Sequence, residues 1–334
     1  MKQSDVYAWT GDVLAALRGA LDAQEFVEIL PAILSSRFEP GARHTVAVMG
    51  DRALPRVTNG GGATRDQVTV VGRESYYLPV SHCVEKQLAL EHVMKVYCMA
   101  PCVRLLMDGE DRTGRHLYSF FQTEIEWRTE SEDEVYTVIE SLLGDFAARL
   151  LERVGRTDRC DDDTRARIST LAMGPFERIP FDAARRLVSR SGGSLNPHSA
   201  GDMTHAEERA LSESHQAPFW ITEYPDGVRD SLYRRTPSGK FATYDLILPG
   251  GHGELATGGL RPDSADDIRR QAQKFSDSPH EYYPSWKART KLQTGGLGFG
   301  LERLIRYCAG ASSILDIRFA HDHGPNATIE ARNA

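Results

Sequence analysis

Segments with helical and with strand periodicity succeed one another along this chain in no regular strand–helix–strand rhythm, and nothing restricts its architecture more. A doubly wound parallel sheet needs that rhythm, because each parallel strand reaches the next through a crossover, usually a helix. Its absence predicts an α+β fold on an antiparallel sheet. Apolar spacing predicts a helix over residues 12–24, with Val13, Leu14, Leu17 and Leu21 on one face. A longer helix is expected from Glu134 to Val154, carrying Val135, Val138, Ile139, Leu142, Leu143, Phe146 and Leu150. Shorter helices are expected from Ser81, over Phe181–Val188 and over Leu301–Ala309. Strands are expected at Phe26–Pro31, His44–Met49, Gln67–Val71, Lys95–Met99, Tyr118–Trp127, Phe176–Ile179, Phe219–Glu223, Ser231–Arg235 and Thr243–Leu248. Gly60-Gly61-Gly62 reads as a turn, and the charged stretch Thr157–Arg167 as an exposed connector.

Composition excludes several function classes. The chain has 334 residues with 47 acidic and 40 basic side chains, a net charge of −7 that argues against a generally basic nucleic-acid platform. No run approaches the roughly 20 apolar residues of a bilayer span, and no secretory pattern opens the chain. Five cysteines without a CxxC pair read as buried free thiols, so a reducing cytoplasmic setting is expected and a membrane partner is not. Cys98 and Cys102 resemble half a zinc site, but no histidine or second pair follows at ligand spacing. The linker-like stretches 189–196 and 197–206 are too short to divide the chain, so residues 1–334 are expected to form one domain.

Arg104, Arg115, Arg261 and Arg303 stand in unusual settings: beside apolar strand residues, in a loop, or at a helix start. A guanidinium grips phosphate or carboxylate oxygens two at a time; taken singly, each more often reads as a surface or salt-bridged residue, and its value comes from what surrounds it. Asp245 sits in an apolar strand and Glu254 just beyond the glycine-rich bend that contains His252. Two carboxylates brought together by a hairpin suit a magnesium nucleotide site; the alternative is an ion-paired acid beside a turn, with His252 a loop residue. The run Gly295-Gly-Leu-Gly-Phe-Gly300 leads into a helix that projects Arg303, at neither the Rossmann nor the Walker spacing.

Taken in order, these segments resemble the catalytic domain of class II aminoacyl-tRNA synthetases, most of all the aspartyl/asparaginyl branch. Phe26–Leu34 with Pro31 is similar to the first motif of that class. Ala100-Pro-Cys-Val-Arg104 through Arg115-His-Leu-Tyr-Ser-Phe-Phe-Gln-Thr-Glu-Ile-Glu126 resembles the second, and Gly295–Arg303 the third. Phe219-Trp-Ile-Thr-Glu-Tyr-Pro and the block from Asp245 through Glu254 to Arg261 also look like this branch. The resemblance implies a six-stranded antiparallel sheet flanked by helices, working as a homodimer with ATP and Mg2+. Arg104 would hold the α-phosphate, Phe120 would stack on adenine, and Arg303 would cover its other face, so that Arg104 and Arg303 carry the catalysis. Arg115 and His116 would clamp the terminal phosphates, Glu254 would serve ATP and metal, and Asp245 the metal. His116 is read as a phosphate ligand in preference to a general base.

The segment Ser81-His-Cys-Val-Glu-Lys86 is similar to the one that places a substrate-reading lysine in aspartyl enzymes, and Arg261 matches its arginine partner. Two unpaired cations around one pocket would favour an anionic side chain, so aspartate is the expected amino acid, with Ser81, Gln122 and Glu124 around its amino group. The alternative for Lys86 is a helix residue facing solvent. Two departures stand out. The first-motif helix begins near residue 12, where the branch carries an anticodon-binding barrel, and Leu106 replaces the glutamate two places after the motif arginine, with Glu110 or Asp111 as substitutes. They lead to an expectation of amide ligation in the manner of standalone asparagine synthetases, with ammonia or a small amine as acceptor and tRNA not favoured. The alternative is a truncated aspartyl/asparaginyl-tRNA synthetase paralogue that charges tRNA or another RNA.

Overall fold

The computed structural model describes residues 2–35, 46–50, 74–104, 114–190, 201–229, 232–274 and 281–317. The expectations for Gly60–Gly62, Gln67–Val71, Leu106, Glu110 and Asp111 lie outside them. In chain order the elements are α1 (Gln3–Ala23), β1 (Val27–Glu28), β2 (Ala47–Gly50), β3 (Glu74–Tyr77), α2 (Cys83–Ala89), β4 (Lys95–Val103), β5 (Ser119–Arg128), α3 (Glu132–Val154) and α4 (Asp162–Ser169). They continue with β6 (Glu177–Pro180), α5 (Phe181–Arg190), α6 (His205–Glu213), β7 (Phe219–Tyr224), β8 (Phe241–Leu248), β9 (Gly253–Leu260), α7 (Ala265–Lys274), α8 (Tyr282–Thr290), β10 (Thr294–Gly300) and α9 (Leu301–Ala309). No helix among the described residues is long and apolar enough to cross a membrane.

The α+β expectation holds, but the sheet is larger than the six strands expected. Eight strands run in the order β1-β4-β5-β10-β9-β8-β7-β6. The six inner strands pair antiparallel, and β1 and β6 add a short parallel strand at each edge. Pro31 follows β1 within three residues and Pro180 closes β6, which keeps both edges short. A separate two-stranded ribbon joins β2 to β3.

One sheet face carries the main core. Ile125 and Trp127 of β5, Leu297 and Phe299 of β10, and Tyr244 and Leu246 of β8 bury there against α1, α3 and α9. Helix α1 is longer than the expected 12–24, because Val6 and Trp9 extend its buried stripe by two turns; Leu14 is only half-buried. Helix α3 matches its pattern, and Ser131 accepts from the Glu134 amide to cap it. The expected connector 157–167 contains helix α4, started by Asp161 accepting from the Thr164 amide at 2.8 Å and tied down by Arg167 donating to the Tyr307 carbonyl at 2.7 Å. Its high charge hid a helix that buries little more than Thr164 and Ile168. No strand forms over 232–235, where Arg235 makes only an isolated bridge to Phe241.

The glycine run before α9 is a strand whose two faces differ completely. Leu297 and Phe299 enter the core, while Gly296, Gly298 and Gly300 leave the opposite face bare. A methyl group on Gly296 would lie 2.2 Å from the Ile125 carbonyl oxygen and from Glu126, whereas one on Gly298 would meet only ordinary contacts at 3.5 Å. Gly296→Ala is therefore expected to destabilise the fold by about 1–3 kcal/mol in urea unfolding, and Gly298→Ala to leave the midpoint nearly unchanged. Equal midpoints for the two variants would contradict this packing.

Candidate active site

The face opposite the core collects the chemistry. On β5 it presents Phe120, Gln122, Glu124 and Glu126 in alternation with the core residues. Glu124 pairs across with Gly298, Gly298 with Thr257, and Thr257 with Asp245. Glu124 and Asp245 thus share one transverse row, three strand spacings or about 14 Å apart, over a floor without large side chains.

At the Glu124 end the charges are buried and paired. Lys86 Nζ donates to Glu124 at 2.6 Å and lies 3.5 Å from Glu126. Arg261 grips Glu126 through Nε and Nη2 at 2.8 and 2.6 Å, and Thr294 donates to the same carboxylate at 3.1 Å. Ser81 Oγ donates to Glu124 at 2.7 Å. Burial alone would raise the Glu124 carboxyl, but Lys86 and Ser81 hold it down at about 2. Burial also opposes the Lys86 charge, and the two glutamates outweigh it. The lysine faces the sheet and not solvent. The expectation of two unpaired cations is corrected: each has a glutamate, so the pocket's fixed charges already balance.

At the Asp245 end, Tyr224 and Arg229 both donate to one oxygen of the buried Asp245 carboxylate. Its other oxygen has no hydrogen-bond partner among the described residues. Burial, with Glu254 and Asp202 nearby, raises Asp245, while Arg303, Arg229 and Arg115 pull Glu254 down against its own burial. Arg303, in the first turn of α9, donates to the Glu254 side chain at 2.7 Å. Arg115 is held by Glu208 of α6 at 2.6 Å, and Glu208 also accepts from the Glu254 amide. The His116 and His205 rings lie 4.5 Å apart. Burial, helped by Arg303, His205 and Arg115, lowers His116 to about 3, so its imidazole is neutral. His252 packs edge-on against Tyr307 at 4.8 Å, as a loop residue would.

Arg104 lies at the rim, donating twice to the Val80 carbonyl at 3.1 and 3.0 Å with its guanidinium 5.1 Å from the Phe120 ring. Glu302 accepts from the Phe121 amide at 2.9 Å and fastens the start of α9 to β5. The sequence reading overlooked Arg229, Glu208, His205 and Glu126 as partners. A signal for α6 does exist, the capping box Thr204-x-x-Glu207, at the end of the stretch expected to be linker-like.

An oxygen left without a donor beside a second carboxylate suits a divalent ion that takes one or two protein carboxylates and otherwise water and phosphate. Asp245 and Glu254 therefore fit Mg2+. The arginines around them suit phosphate oxygens, once those replace the carboxylates the guanidiniums now hold.

Residues 2–321 match the family model described as tRNA synthetases class II (D, K and N). The asparagine–tRNA ligase of Thermococcus kodakarensis is 28% identical over 253 residues, covering 74% of this chain and 57% of that protein. That of Serratia proteamaculans is 27% identical over 299 residues, 86% of this chain and 63% of the relative. The chain thus spans between 57% and 63% of the length of these two relatives. The solved asparaginyl-tRNA synthetase of Pyrococcus horikoshii complexed with asparaginyl-adenylate superposes with a TM-score of 0.80 at 23% identity, over 95% of this chain and 68% of that one. The aspartyl-tRNA synthetase of Entamoeba histolytica gives 0.69 at 17%, over 94% and 57%. At these identities the structural likeness is one of fold.

A proton on Asp245 would compete with a divalent ion held by that carboxylate. Because its environment raises this carboxyl to about 7, affinity for Mn2+ in the presence of ATP, read by electron paramagnetic resonance, is expected to weaken as pH falls through that value. Asp245→Asn should flatten the dependence in that range; an unchanged pH profile in that variant would remove Asp245 from the metal site.

Proposed function

Since the chain belongs to the class II tRNA synthetases of the D, K and N group, we propose that it condenses aspartate with ATP and passes the aspartyl group to the 3′ end of a tRNA. The observation that carries this reading is the shared row of Glu124 and Asp245 over the bare face of β10. An amino acid lies at one end, the phosphates at the other, and the reacting atoms between them.

The charge balance at the amino-acid end supports aspartate. Lys86 and Arg261 offset Glu124 and Glu126. An ammonium group directed to Glu124 and a side-chain carboxylate directed to Lys86 and Arg261 keep that balance. Asparagine would add a positive charge without its counterpart. The α-carboxylate then lies toward Arg104. One of its oxygens attacks the α-phosphorus in line, the new O–P bond forms, and the bond to pyrophosphate breaks. Phe120 offers its ring to adenine, with Arg303 on the opposite side of the base. Arg104 at the α-phosphate, and Arg115 with His116 at the terminal phosphates, position groups and stabilise charge, so no protein nucleophile is required. Mg2+, when held by Asp245 and Glu254, supplies further positive charge to the phosphates. In the second half, a ribose hydroxyl attacks the acyl carbon and AMP leaves.

The relatives named above are tRNA ligases, and this shifts the choice of acceptor from ammonia or a small amine toward RNA. The same relatives favour a second reading in which asparagine is the substrate. Pyrophosphate–ATP exchange with an amino-acid panel decides between them: exchange with aspartate and not asparagine is expected, lost about a hundredfold or more in Lys86→Ala through removal of a buried charge partner. Exchange with neither amino acid would overturn both readings. Labelled aspartate recovered on tRNA supports the RNA acceptor, whereas amine-dependent AMP release without labelled tRNA would replace it with amide ligation.

A homodimer belongs to the same reading. Val27, Leu30, Ile33 and Leu34, at and just after edge strand β1, are exposed, Leu30 by 96%. The pair Leu30→Asp and Ile33→Asp is expected to convert a dimer to a monomer in sedimentation velocity. A wild-type chain that sediments as a monomer would refute it.

A further inference from the structure

Beneath the amino-acid end, three different metal-ligating side chains converge from separate segments. His82, Cys102 and Glu124 are buried, and their ligand atoms lie within 4.8 Å of one another. Strand register brings Cys102 and Glu124 to one face: Cys98 stands opposite Glu124, Ala100 opposite Gln122 and Cys102 opposite Phe120. The small Ala100 lies between Cys98 and Cys102 on that face. His82 comes in from the start of α2, only 2% exposed. Its Nε2 lies 2.9 Å from the Ala32 carbonyl, which can only accept, so Nε2 carries the proton and Nδ1 presents a lone pair. That Nδ1 has no hydrogen-bond partner among the described residues. A ring N–H donated to a carbonyl, with the other nitrogen left free, is how a metal-binding imidazole is held.

We propose that His82 Nδ1, Cys102 Sγ and a Glu124 oxygen form a site for a thiophilic divalent ion of the zinc type. Imidazole, thiolate and carboxylate together select such an ion over magnesium, and three protein ligands leave a fourth position for water or for Gln122 Oε1, 3.5 Å from Sγ. Metal–ligand bonds of about 2.0–2.3 Å space tetrahedral ligands about 3.3–3.7 Å apart, so small side-chain rotations close the site. On binding, the Cys102 S–H bond breaks, its proton goes to water, and the sulfur–metal bond forms without any redox change. Without a cation there, burial and Glu124 push the Cys102 thiol well above its ordinary range, so the ion itself supplies the charge a thiolate requires. When Glu124 turns to the metal, Lys86 keeps Glu126 at 3.5 Å and the Leu297 carbonyl at 3.4 Å.

The site shares Glu124 and Gln122 with the proposed amino-acid pocket, but its test does not use activity. Full-length protein, stripped with chelator, is titrated with Co2+ and then Zn2+. One Co2+ per chain with a thiolate-to-cobalt charge-transfer band in the near ultraviolet is expected, discharged by Zn2+. The band should vanish in Cys102→Ser, persist in the neighbouring Cys98→Ser, and need about tenfold or more Co2+ in His82→Asn. Should a variant fail to fold, X-ray absorption at the zinc edge of the wild-type chain serves instead, with one sulfur in the zinc's coordination shell expected. No band, a band that survives Cys102→Ser, or bound zinc without a sulfur ligand would overturn the site. Amino-acid-dependent pyrophosphate exchange in a chain without the band overturns the metal alone; a cobalt band without exchange overturns the adenylation reading and supports the metal site.

Discussion

Strand β10 must be large on one face and empty on the other, and the rest of the molecule is arranged around that asymmetry. Leu297 and Phe299 join the main core, where α1, α3 and α9 cover the sheet. Gly296, Gly298 and Gly300 keep the other side clear between Glu124 and Asp245. Close packing explains why the two glycines nearest the pocket are not equivalent. At Gly296 the Ile125 backbone and the Glu126 carboxylate already fill the place of a side chain, while at Gly298 a methyl group would meet Gln122 and Glu124 only at ordinary contact distance.

Charges are buried on that cleared face only where they are matched. Lys86, Arg261, Glu124 and Glu126 form one connected group, and removal of any member would leave an uncompensated ion in a poorly solvated place. A different balance holds across the row. Arg229 and Tyr224 share one oxygen of Asp245, while Arg303 and Arg115 hold Glu254 and Glu208. Carboxylates thus keep several guanidiniums oriented, in the places that phosphate oxygens would take under the proposed function.

Much of the architecture was legible because its causes are local. The stripes of α1 and α3 follow from apolar spacing, and Ser131 marks where α3 begins. Helix α4 was misread because its charge density resembles a connector, although Asp161 and the acids after it form an ordinary helix start. Strands β9 and β10 escaped the period-two pattern because glycines occupy one of their faces or both. The edge strands β1 and β6 fall on the runs Phe26–Pro31 and Phe176–Ile179 where strands are expected, β1 much shorter than its run and β6 one residue further along.

By itself the sequence determined the family, the order of its motifs and the residue types brought to the site, since these are properties of contiguous segments. Only the tertiary structure decided which charge meets which. Lys86 meets Glu124 across 38 residues and Arg261 meets Glu126 across 135, so cations that looked unpaired along the chain are neutralised in the fold. His82, Cys102 and Glu124 converge for the same reason. Ligand spacing in sequence reports a site held by one segment, and a sheet register assembles sites from segments that no spacing connects.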